Sequence, residues 1–173
     1  VMGQNMVDGR ESVTNLISRT GATIAVNGAF FNMDNYTPLG TLVSDGRLLT
    51  VDNMYAPEKA ALVMSPSGDF SVQSFKTLLT ATLSSTDGND ISSVENVVVN
   101  KWPSSSTDAA RLIMTRDWGQ QLNFSTRDAV VVDANGTITA VYQNASNVNI
   151  PQGGYVLCQK ARRQYEGNFF DSC

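Results

Sequence analysis

The chain has 173 residues, 42% of them apolar and 16% charged, with a net charge of −4. That length supports one domain with a hydrophobic core, while no apolar run approaches the roughly 18 residues of a membrane span. The largest basic cluster, Lys160 to Gln164, is too small for nucleic acid to be the principal partner, and the absence of histidine excludes self-contained Ser-His-Asp and Cys-His catalysis and most zinc sites.

The first predicted element is a helix, with Asp8 as its cap, Glu11 three residues on, Val13, Leu16 and Ile17 on one face, and Gly21 to end it. "ATIAVN" then reads as a short buried strand. It leads into "AVNGAFFNMDNYTPLGTLVSDGRLL" (residues 25–49), where an amide, a glycine and a doubled aromatic stand at the mouth of a strand. Asn27 offers both a donor and an acceptor, suited to a sugar hydroxyl or a phosphate oxygen. Gly28 lets another group approach the backbone closely. Phe30 and Phe31 alternate across a strand, so one enters the core and Phe31 is left as a wall for an apolar sugar face. Asn32 and Asp34 add polar groups beside it. The competing reading is architectural: a strand, an Asn-Gly turn and two core phenylalanines.

"LVSDGRLL" predicts a hairpin with Asp45-Gly46 in the turn, and "ALVMSPSGDFSVQSF" a second around Ser67-Gly68. Residues 76–86 alternate as a further strand, followed by a polar loop at "TDGND". "VENVVVNKW" and "ARLIMT" are the next strands, separated by the polar "PSSSTDA". "DAVVVDANGTITAVYQ" is a hairpin with a type I′ turn at Asn135-Gly136, and "GGYVLCQ" is the last strand. The sum is an α+β, sheet-rich single domain, with an N-terminal helix packed on a mixed or antiparallel sheet.

Two other clusters carry charge. Asp87, Asn89, Asp90 and Glu95 lack the spacing of a calcium loop and read as a solvated turn. Arg116, Asp117 and Trp118 suit either a charged sugar or a surface ion pair over a packed Trp. No nucleotide-cradling glycine motif occurs, and no cofactor or metal is expected. Cys158 and Cys173 are the only thiols, and a bond between them would close a short C-terminal loop. Asn-x-Ser/Thr sequons stand at Asn35, Asn123, Asn135 and Asn144. They permit glycosylation and, with the low charge, suit a secreted or extracytoplasmic protein, lumenal or lysosomal in a eukaryote.

The order Arg19–Ala22, Asn27–Phe31, Pro38–Gly40 and Asp45-Gly46 resembles the N-terminal signature of the phosphodiester glycosidase family. "LIMTRDWG", "DAVVVDANGTITAV" and "IPQGGYVL" are similar to its later segments, with Ala29 replacing a usual glycine. The resemblance implies hydrolysis of sugar 1-phosphodiesters, a phosphate-linked glycan as substrate, and Asn27, Gly28, Phe31, Asn32 and Asp34 as substrate-binding residues. It assigns no catalytic residue. The family's Asn-x-Asp-Gly-Gly-Gly-Ser signature does not occur in these residues, so the expectation is a partial domain over residues 1–173, completed by a second polypeptide segment. The alternative is a non-catalytic glycan-binding or cell-envelope module of the same fold.

Overall fold

The computed structural model describes residues 2–7, 9–25, 30–33, 35–51, 59–95, 97–103 and 111–160. These residues are mostly β, with 43% in strands and one short α-helix. The helix, α1, runs Val13–Thr20 and has no buried residue. Val13 is 62% exposed, and only Leu16 and Ile17 are half-buried. So α1 supplies nothing to the described core, and the α+β description gives way to a β-rich fold with a peripheral helix. Eight residues with a mostly polar surface bury too little to form a layer.

The cap is also corrected. Ser12 precedes the helix and its hydroxyl accepts from the Asn15 amide at 3.2 Å. Glu11 pairs instead with Arg19 at 2.8 Å and accepts from the Gln4 amide. Gly21 closes the helix in the left-handed region, at φ 67°, as expected. Residues 22–25 are irregular, and the rest of the strand expected at "ATIAVN" lies outside the described residues.

The strands are β1 Leu42–Ser44, β2 Arg47–Thr50, β3 Lys59–Met64, β4 Phe70–Phe75, β5 Thr80–Ser84 and β6 Asp90–Glu95. They continue as β7 Val98–Val99, β8 Leu112–Thr115, β9 Thr126–Val132, β10 Ile138–Gln143 and β11 Tyr155–Lys160. Three two-stranded hairpins (β1–β2, β3–β4, β5–β6) accompany one five-stranded sheet ordered β10-β9-β11-β8-β7. That sheet is antiparallel except for the β7–β8 pair. The predicted run "VENVVVNKW" is therefore divided. Its first residues end the β5–β6 hairpin, and Val98–Val99 joins the sheet as its edge.

Turn chemistry separates the hairpins into two kinds. Asp45 and Gly46 both have positive φ, 51° and 72°, which gives the tight two-residue turn expected of Asp-Gly. The other three share a different loop. Gly68, Gly88 and Gly136 donate to the carbonyls of Ser65, Ser85 and Asp133, and each stands at φ between 80° and 89°. Each loop is a type I turn closed by a left-handed glycine, so the type I′ expectation at Asn135-Gly136 is wrong. Asp133 explains the preference. Its carboxylate accepts from the amides of Asn135 at 2.8 Å and Thr137 at 2.9 Å, which holds Asn135 out of the left-handed region.

β9 is covered on both faces. On one, Leu112, Met114, Ala129, Val156 and Cys158 join Trp118, Leu122, Val148 and Ile150 in the main core. On the other, Val130, Val132 and Leu157 face Ala81, Leu83 and Val94 of the β5–β6 hairpin across an open cavity of about 490 Å³.

Candidate functional site

The Phe30–Leu39 loop carries the described part of the predicted site. Phe31 and Pro38 form an antiparallel bridge, and Leu39 donates its amide to the Phe30 carbonyl at 2.9 Å. Inside this neck, Asn32 donates to the Thr37 carbonyl at 2.9 Å, and its own carbonyl accepts from Tyr36 at 2.7 Å. The Asn32 Oδ1 accepts from the Asn35 amide, and the Asn35 Oδ1 from both the amide and the hydroxyl of Thr37. Thr37 is buried, so the loop turns around a polar pivot. Asn32 and Asn35 thus shape the loop with their side-chain oxygens, and that of Asn32 is one the sequence reading had set toward a ligand. Asn27, Gly28 and Asp34 lie outside the described residues.

The aromatic expectation is half met. Neither phenylalanine enters the core: Phe30 is 86% exposed and Phe31 39%. Phe31 is a surface ring, stacked with Tyr36 at a centroid distance of 6.0 Å and an interplanar angle of 20°. The Arg10 guanidinium lies over the Tyr36 ring, 3.5 Å from its centroid. Tyr36 itself sits at φ 61°, a conformation costly for a bulky side chain. The result is a ring wall displayed to solvent by a loop closed largely by its own backbone bonds.

Residues beyond the motif hold this loop to the fold. The Lys101 ammonium, almost buried at the end of β7, donates to the Pro38 carbonyl, and the Thr50 hydroxyl donates to the Gly40 carbonyl at 3.0 Å. Next to Lys101, Asn100 is fully buried at φ 47°. Its amide nitrogen donates to the Leu49 carbonyl and the Thr115 hydroxyl, both at 2.8 Å, while its Oδ1 accepts from the Thr115 amide. Asp117 then bonds to Thr115 and pairs with Arg47 across the β1–β2 hairpin. "TRDWG" is therefore an ion pair over a packed Trp118, although the cation is Arg47 and not Arg116. Sequence reasoning missed Lys101, Asn100 and Arg10. The polar Asn-Lys directly after three valines was the available signal, because two polar groups at the end of a buried strand must each find partners.

The carboxylates of the described residues are mostly engaged. Glu11 is held below the ordinary range by Arg19, and Asp87 and Asp133 by hydrogen bonds within their turns. Asp128, almost fully buried, lies 3.4 Å from the Arg127 side chain. Trp118 stacks with Trp102 at 5.8 Å, and Phe124 meets both edge-on, which braces the sheet end behind Asp117.

Two solved structures share this fold. A hypothetical protein from Synechocystis superposes with a TM-score of 0.65 at 19% identity, over 94% of this chain and 29% of its own. A Burkholderia pseudomallei protein described as exported gives 0.61 at 23% identity, over 90% of this chain and 36% of its own. The chain thus spans about a third of the length of either. No curated protein matches. The phosphodiester glycosidase model matches residues 20–159, from the end of α1 into β11 and including the whole Phe30–Leu39 loop. The chain belongs to the phosphodiester glycosidase family.

Proposed function

We propose that this chain carries part of the site of a hydrolase acting on sugar 1-phosphodiesters, and that the Asn27–Asp34 loop holds the glycan. The observation that carries this reading is the exposed Phe31–Tyr36 pair, presented by a loop within the residues that match the family. An aromatic face at the rim suits the apolar face of a sugar, and amides beside it suit its hydroxyls. In the reaction, the bond between the anomeric carbon and the phosphate oxygen breaks, water delivers its hydroxyl to the sugar, and the phosphomonoester leaves. Carboxylates acting as acid, base or nucleophile serve such chemistry. A second segment, in a longer chain or a partner, completes the domain. The likeness to an exported protein, together with the sequons, supports an extracytoplasmic location.

A specific observation favours the second reading, a glycan-binding module without catalysis. Glu11, Asp117 and Asp128 are each held in an ion pair with an arginine. Incubation of the chain, joined by the segment that completes the domain, with N-acetylglucosamine 1-(methyl phosphate) tests both. Release of free sugar supports the hydrolase, whereas binding without release supports the module. Failure to bind rejects both.

A further inference from the structure

At the rim of the loop, Arg10 and Phe31 both pack against the Tyr36 ring. The guanidinium carbon is 3.5 Å from the Tyr36 ring centroid, and Tyr36 faces Phe31 at 6.0 Å. A ring face attracts a cation and holds it flat. A guanidinium held in this way keeps its N–H edges pointing outward, in the plane that suits two-pronged binding of a phosphate. The other guanidinium groups in ion pairs, those of Arg19, Arg47 and Arg127, each face a carboxylate. Arg10 is exposed and takes part in no ion pair among the described residues. Its position is set by Tyr36, whose backbone is kept at φ 61° by the bond to the Asn32 carbonyl and by the buried Thr37 next to it.

We propose that Arg10 is the anion-recognition residue of this loop, binding the phosphate of a sugar phosphodiester while Phe31 contacts the sugar. Tyr36 is a positioning residue that presents the guanidinium. The inference rests on the reading of the loop as a glycan site, and it adds the basis for preferring a phosphodiester over a neutral glycoside. The segment before α1, anchored in the core by Val7, thereby gains a role: it carries the charged arm of the site.

The test is calorimetric titration of the full chain with N-acetylglucosamine 1-(methyl phosphate) and with methyl N-acetylglucosaminide, its neutral counterpart. The wild-type chain is expected to favour the diester by about tenfold, from charge-assisted hydrogen bonds. That preference should shrink in high salt, because the site is exposed. Arg10→Gln should abolish the preference while leaving affinity for the neutral glycoside unchanged, and Arg10→Lys should restore part of it. Because Arg10 is exposed, the variants should melt with the wild type. If Arg10→Gln keeps the preference, weakens both ligands equally, or if the wild type never shows the preference, the Arg10 proposal falls and the glycan reading stands. If the wild type binds neither ligand, that reading falls and takes this proposal with it.

Discussion

The side-chain amide of Asn100 donates to the Leu49 carbonyl at 2.8 Å, and through this bond the edge of the five-stranded sheet holds the β1–β2 hairpin that follows the Phe30–Leu39 loop. The same residue satisfies both the amide and the hydroxyl of Thr115. Asn100→Ala should therefore leave a buried carbonyl and a buried amide without partners, and destabilise the fold by about 3 kcal/mol. Urea unfolding measures this. A midpoint within error of wild type would mean the bond contributes nothing.

Gly154 should tolerate no side chain. A Cβ there would stand 2.1 Å from the Val132 carbonyl oxygen and 2.9 Å from the Asp133 carbonyl carbon, both backbone atoms. Relief requires moving the end of β9, so Gly154→Ala should cost about 1–3 kcal/mol in thermal or urea unfolding.

Tyr36→Asn separates the fold from the site. Asparagine accepts the left-handed region more readily, which recovers part of a strain of about 1–2 kcal/mol. The lost aromatic pair offsets it by about 0.5–1.5 kcal/mol. Melting should change little, whereas affinity for N-acetylglucosamine 1-(methyl phosphate) should fall. A variant that melts far lower and binds as well as wild type would make the stack architectural.

Asn27→Ala should likewise lose ligand affinity with the fold intact. One or two hydrogen bonds to the ligand, each worth roughly 0.5–1.5 kcal/mol, would disappear. Equal binding with a lower melting temperature would instead assign Asn27 to a buried turn.

The β9–β10 turn should respond to acid. Hydrogen bonds from the Thr137 and Asn135 amides lower the Asp133 pKa from its ordinary 3.8. A carboxylate with a folded pKa below its unfolded one contributes stability above the unfolded value and loses it as pH falls through the folded one. The advantage of wild type over Asp133→Asn should therefore be full above about pH 5 and fade below the ordinary value. Carboxyl chemical shifts followed through the titration would check the direction, and an Asp133 midpoint above 3.8 would contradict it.

Cys158 is a free thiol in the core, and burial raises its pKa. Its expected partner Cys173 lies outside the described residues. In a Cys173→Ser variant, Cys158 should resist a thiol reagent in native buffer and react only on unfolding.

Hairpins were legible in the sequence because a glycine in a turn and apolar alternation act within a few residues. Asp45-Gly46, Gly68, Gly136 and the strands beside them all stand where local pattern puts them. Even so, the Asn135-Gly136 turn type depended on Asp133 reaching two amides ahead, which residue pairs alone do not encode. The family was equally visible, since its resemblance lies in short runs of residues set in a fixed order along the chain. Tertiary structure decided the rest. It divided "VENVVVNKW" between a hairpin and the sheet, left Phe30 and Phe31 outside the core, and kept α1 at the periphery. It also brought Arg10 onto Tyr36, and Lys101 and Asn100 beneath the loop, across as many as 63 positions of chain. Such partnerships arise only when buried polar groups must be satisfied by whatever the fold sets beside them, and no local periodicity carries that information.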